Sequence, residues 1–303
     1  AASDVYKRQR QRNLNSLFLL FFMTIVVIGP LAQDQIITQN SKTYAAGGAS
    51  YFQSFVFEEF NMDYVAVANF NNLDLIRDFP NLGNLIPIVG DDTHYFINEY
   101  PENDNLDIRK QYSNFANIPI LKDQLEFVFD DILEINAFVL NPLNRNDFPV
   151  ETIDYLKTFN VPIYLSMQGF LRIPDEKIDD KNYSIKLEKP DNLDDILNGI
   201  TAIFLDESEA KLVFDDDNYS RYDIDEIVIT NASEGSRIIC GNEIKIEAFE
   251  VEDIADSTGC GDTYMAAYIL KRLLLDSPEE AGEFASLIAS EKLMSFGPYK
   301  SLI

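Results

Sequence analysis

The stretch "DSTGCGDTYMAAYILKRL", Asp256–Leu273, puts two glycines and an aspartate where a helix is expected to begin. Apolar residues at Ala266, Ile269, Leu270, Leu273 and Leu274 follow the three-and-four spacing of an amphipathic helix. Gly259 and Gly261 then lie at its N-terminus, where N–H groups without helical acceptors and the helix dipole attract anions. Glycine lets that backbone approach a phosphate closely. Asp262 stands beside this positive end, placed to take a proton from an attacking hydroxyl. The plainer alternative is an aspartate that only caps a helix.

Upstream of this stretch, apolar strand-like runs recur: "TIVVIG", "YVAVANF", "AFVLN", "PIYLSM", "AIFLD" and "EIVIT". Helical stretches such as "SYFQSFVFEEF", "VETIDYLKTF" and "LDDILNGI" fall between several of them. This alternation predicts an α/β fold with a mainly parallel central sheet and helices on both faces. Gly90–Ile120 breaks the rhythm, alternating polar and aromatic residues around a turn at "PENDN". With "DQIITQNSKTYAAGG" it predicts a small β lid, from segments near 34–46 and 91–119. His94 falls in that hairpin and reads as structural or exposed.

Composition narrows the function. The chain has 51 Asp and Glu against 24 Lys and Arg, a formal net charge of -27. Such a surface repels nucleic acid and anionic membrane, so neither is an expected partner. It also repels nucleotide phosphates, so a phosphate site here must work through local dipoles or a metal. Two cysteines, Cys240 and Cys260, make no disulfide framework and point to a reducing, cytoplasmic setting. A single histidine excludes a histidine-rich metal site.

The N-terminal run "KRQRQRNLNSLFLLFFMTIVVIGPLA" has the basic start and apolar core of an export signal. Against that, "DVYKRQ" (Asp4–Gln9) is what a sequencing-library adapter encodes, and "MTIVVIG" from Met23 reads as a buried first strand. Residues 1–22 are therefore expected to be a non-native extension, and 23–303 one domain with its lid.

Beyond these readings, "DSTGCGDTYMAAYI" resembles the C-terminal signature of the ribokinase-like, or PfkB, carbohydrate kinases, with Ser257 for a usual threonine and Cys260 for a usual alanine. The resemblance implies an anion hole at Gly259, Cys260 and Gly261, a general base at Asp262, and Asp256 on the nucleotide side. "IGPLAQD" is similar to the family's first strand and turn, implying that Asp34 binds substrate. "AAGGASYFQS" resembles its Gly-Gly motif, implying the same for Gly47 and Gly48, although the asparagine common after those glycines is absent. "LDESEA" matches a metal-associated motif with Asp206 for asparagine and Glu209 retained, implying Mg2+ held through water. "VITNASEG" implies nucleotide contacts at Thr230 and Gly235. "LSMQGFLR" is similar to inositol-kinase-like members, implying Gln168 and Arg172 at the substrate.

The activity implied is transfer of the terminal phosphoryl group of ATP to a hydroxyl of a sugar or polyol, with a nucleoside kinase as alternative. A non-catalytic sugar- or nucleotide-binding regulator on the same fold is the alternative of a different class. A homodimer through the lid is the expected assembly.

Overall fold

The structure is a computed structural model that describes residues 23–100, 110–130, 132, 134–214 and 217–301. The readings made on residues 1–22 and on the "PENDN" turn lie outside the described residues.

The β-branched runs form the centre. Strands β1 (Ile25–Ile28), β4 (Tyr64–Phe70), β5 (Leu85–Val89), β8 (Ala137–Leu140), β9 (Ile163–Ser166), β12 (Ala202–Asp206), β13 (Glu226–Thr230), β14 (Ser236–Ile239) and β15 (Glu243–Ile246) make one sheet. Their order is β15-β14-β13-β12-β9-β8-β1-β4-β5. From β13 through β5 every neighbouring pair is parallel, and β14 and β15 continue it antiparallel. All four residues of β1 are buried, because both faces of the sheet are covered.

Successive side chains of β1 serve opposite cores. Ile25 and Val27 pack on the side of helices α1 (Ala49–Glu59), α7 (Cys260–Leu273) and α8 (Pro278–Leu293). Val26 and Ile28 pack on the other, against α2 (Lys122–Phe129), α3 (Val150–Lys157), α5 (Leu193–Leu197) and α6 (Glu207–Val213). Burying one such large aliphatic or aromatic side chain contributes about 1.5–3 kcal/mol, so the two cores are the main source of stability.

The lid is a six-stranded sheet in the order β10-β11-β7-β6-β2-β3. It contains β2 (Ala32–Ile37), β3 (Lys42–Gly47), β6 (His94–Glu99), β7 (Lys110–Ser113), β10 (Arg172–Lys177) and β11 (Tyr183–Leu187). The first four come from the two segments expected. The β10–β11 hairpin is an addition, and nearly all of β10 after Arg172 is solvent-exposed, so no buried face marks it as strand in the sequence. Connectivity sets where the lid sits. β1 runs through Gly29, Pro30 and Leu31 straight into β2, and β9 passes through the short helix α4 (Gln168–Leu171) into β10. Both links leave the carboxyl ends of parallel strands, the edge where open α/β sheets bind ligands.

Candidate active site

The start of α7 is built on Gly259, whose φ is 74° in the left-handed region. A Cβ there would collide with the ring of Phe52 on α1, so both backbone and packing call for glycine. Gly261 is different. An ideal Cβ on it meets no atom within 4 Å, so nothing in the protein itself demands glycine at that position.

The three amides of the expected anion hole are also not equivalent. The Cys260 N–H already donates to Ser257 O at 3.2 Å, while the Gly261 N–H has no backbone acceptor among the described residues. Asp262 lies in the first turn of the same helix, half-buried at its positive end. The Cys260 thiol is pushed up to about 11 by burial, against the pull of the Lys292 charge, and Sγ lies 3.5 Å from Ala289 O. Burial of this kind disfavours the reactive thiolate.

Asp256 turns inward. Its carboxylate accepts the N–H of Thr258 at 2.9 Å and of Gly297 at 3.0 Å, and pairs with Lys292 Nζ at 3.2 Å. These contacts set the shape of the loop before α7.

At the end of β12, Asp206 and Glu209 form a reciprocal capping box on α6. Asp206 Oδ1 accepts the Glu209 N–H at 2.8 Å, and Glu209 Oε2 accepts the Asp206 N–H at 2.9 Å. A solvated acidic helix start would leave both carboxyls in water, but Glu209 is only 4% exposed. Burial, then the Asp206 charge, push its carboxyl up to about 7; the Asp262 charge adds to the rise, and the Asp206 N–H and the Arg172 guanidinium oppose it. Asp206, Glu209, Arg172 and Asp262 therefore share one electrostatic neighbourhood, although they come from three separate parts of the chain. Among the described residues no group of three or more His, Cys, Asp or Glu forms a metal cage.

Arg172 is buried rather than a surface ion-pair partner. Its Nη2 donates to Gln111 Oε1 at 3.0 Å, and the guanidinium sits 5.2 Å above the Phe96 ring. Gln111 in turn donates to Asn98 Oδ1 at 2.8 Å. Gln111 and Asn98 extend the polar chain along the lid and were not singled out from sequence. The alternating burial of β6, with His94, Phe96 and Asn98 inward, is the signal that finds Asn98. Gln168 opens α4, four residues before Arg172.

Asp34, on β2, is 7% exposed, and a Cβ on Gly47 of the paired strand β3 would collide with its carboxylate. Gly48 has φ 95° and caps α1, where a Cβ would press on Pro30 O at 2.7 Å. Asp34 and the two glycines thus form one compact unit at the lid's root. Thr230 ends β13 in register with Asp206 on β12, and its hydroxyl lies 3.4 Å from Leu205 O. Gly235, φ 88°, makes the tight turn from β13 to β14, where a Cβ would strike Ile246 O. His94 is fully buried, with Nε2 3.0 Å from Asp147 Oδ1, and is structural.

Residues 173–303 match the family described as pfkB family carbohydrate kinase. That match covers the C-terminal part of the chain, including all of α7 and α8. No curated protein matches the chain. Among solved structures, this chain is similar to a pyrophosphate-dependent kinase of the ribokinase family in a sulfate complex, at 19% identity and TM-score 0.77, covering 91% of this chain and 97% of that one. A structure of a pyrophosphate-dependent ribokinase-family kinase with a pyrophosphate analog and myo-inositol is similar at 20% identity and TM-score 0.74, covering 91% and 97%. Ribokinase from Arabidopsis thaliana, complexed with ribose and ATP, is similar at 15% identity and TM-score 0.66, covering 91% and 94%. The likeness establishes the ribokinase-like fold.

Proposed function

We propose that this chain transfers the terminal phosphoryl group of ATP to a hydroxyl of a sugar or polyol, with an inositol-like acceptor first in line. The observation that carries the reading is the pairing at the start of α7: a Gly261 amide with no backbone acceptor among the described residues, unobstructed around its Cα, next to the Asp262 carboxylate. Asp262 takes the proton from the acceptor hydroxyl as its oxygen attacks the terminal phosphorus, and ADP departs. The amides at the helix start stabilise charge on the transferred group. Asp34, beside Gly47 and Gly48, and the Arg172–Gln111–Asn98 chain on the lid supply the carboxylate, guanidinium and amides that bind several hydroxyls. Gln168 and Thr230 border the acceptor and nucleotide sides.

Magnesium fits this donor set. Asp206 and Glu209 offer hard oxygens but no complete cage, which suits an ion that keeps several waters. It would be held through water and would offset the donor's negative charge.

The structural neighbours raise pyrophosphate as a second donor reading. ATP is favoured by the apolar side chains Phe249, Ile254, Met294 and Phe296, all exposed. The two segments that carry most of them are joined where the Ala255 N–H donates to Leu293 O at 2.8 Å, just before the loop that opens α7. An apolar surface there suits a nucleobase, whereas pyrophosphate calls for cations, and Lys292 is already paired with Asp256. We place the enzyme in the cytoplasm. No helix of the described residues is long and apolar enough to cross a membrane.

The test is a consumption screen of ATP and, separately, pyrophosphate against inositols, pentoses, hexoses and nucleosides. Acceptor-dependent ADP formation with an inositol or sugar is expected. A nucleoside as the sole acceptor would replace the polyol reading, and no acceptor at all would favour the non-catalytic regulator.

A further inference from the structure

Lys292, at the C-terminal end of α8, has no solvent exposure. A buried ammonium is costly unless it is paired and hydrogen-bonded. Here it is both: Nζ donates to the backbone carbonyl of Asp256 at 2.7 Å and lies 3.2 Å from that residue's Oδ2. The same carboxylate holds the N–H groups of Thr258 and Gly297. One residue back, the Ala255 N–H donates to Leu293 O at 2.8 Å. Both ends of the loop are therefore fixed: Asp256 is fastened to the end of α8, and Gly259 is seated in its left-handed turn against Phe52. Cys260, between Gly259 and Gly261, lies within reach of the Lys292 charge.

Resting on the kinase reading above, we propose that Lys292 is a positioning residue for phosphoryl transfer. Its buried ammonium, held between the carboxylate and the carbonyl of Asp256, fixes the 255–261 loop so that the amides at the start of α7 meet the donor phosphate. Asp256 then serves the nucleotide side through the loop rather than by direct contact. A neutral, well-packed pair satisfies such a buried position as well or better for stability alone. A positive charge at this place also counters the repulsion that a chain of net charge -27 exerts on an anionic donor.

Two variants of the full chain test this, Lys292→Ala and the neutral double variant Lys292→Met with Asp256→Asn, the second chosen to fold without an unpaired buried charge. Expected is a loss of about 100-fold in kcat/KM for ATP, the scale of a misplaced catalytic group, with acceptor KM unchanged. Methylammonium is expected to restore part of the lost rate in Lys292→Ala by entering the space of the deleted ammonium. Wild-type donor kinetics in the folded double variant would overturn the proposal. So would equal losses toward donor and acceptor without rescue, which is general loosening. Amide exchange separates this claim from the kinase reading, since it needs no turnover. Faster exchange in residues 255–261 of the double variant, with β1 unchanged, supports the positioning role even if no acceptor is found, and unchanged exchange there overturns it.

Discussion

Asp262→Asn keeps the side chain's shape and removes its capacity to accept a proton. It is expected to lower kcat by about 10²–10⁴-fold, the usual contribution of a general base, while ADP affinity measured by calorimetry stays near wild type. The two glycines before it separate two kinds of constraint. Gly261→Val meets no protein atom near its Cβ, so thermal stability is expected to hold while kcat/KM for ATP falls by about 100-fold, as for loss of one anion-hole donor. Gly259→Ala is expected to lower stability instead, by about 1–3 kcal/mol from the left-handed backbone alone and more from Phe52. The Gly-x-Gly-Asp run was legible in the sequence because a helix start is a local event. The partners of Asp256 were not: Lys292 is 36 residues away, and only the packing of α8 on α7 brings it there.

At the scale of elements, the parallel strands were legible because β-branched runs buried on both faces carry their own signal, and the helices between them carry another. The β10–β11 hairpin was hidden by exposure, and β5, "LIPIV", by an internal proline and two exposed positions. Missing β10 also hid how Arg172, itself singled out by resemblance, is held between Phe96 of β6 and Gln111 of β7. Its guanidinium stacks on Phe96 and reaches Gln111, a geometry lysine does not reproduce. Arg172→Lys is therefore expected to raise acceptor KM by about tenfold, the worth of one charge-assisted hydrogen bond, and to leave ATP KM unchanged. Steady-state kinetics with each substrate varied in turn checks it, and an effect on ATP alone would move Arg172 to the donor side.

For the whole molecule, charge is the dominant fact. On the proposed reading, a net charge of -27 repels ATP at long range, while the α7 start attracts it only at contact. ATP KM is accordingly expected to fall as ionic strength rises from about 0.01 to about 0.1 M, over which the Debye length shrinks from about 30 to about 10 Å. The KM of an uncharged polyol is expected to stay flat, and a rise in ATP KM with salt would point to a cationic donor path instead. The measurement that bears most directly on the account is phosphorus NMR of the chain mixed with ATP, Mg2+ and myo-inositol or another polyol, run beside Asp262→Asn. The account predicts loss of the ATP terminal phosphate and growth of a phosphate monoester with wild type only. Inorganic phosphate as the sole product, or equal ester formation by Asp262→Asn, would contradict it.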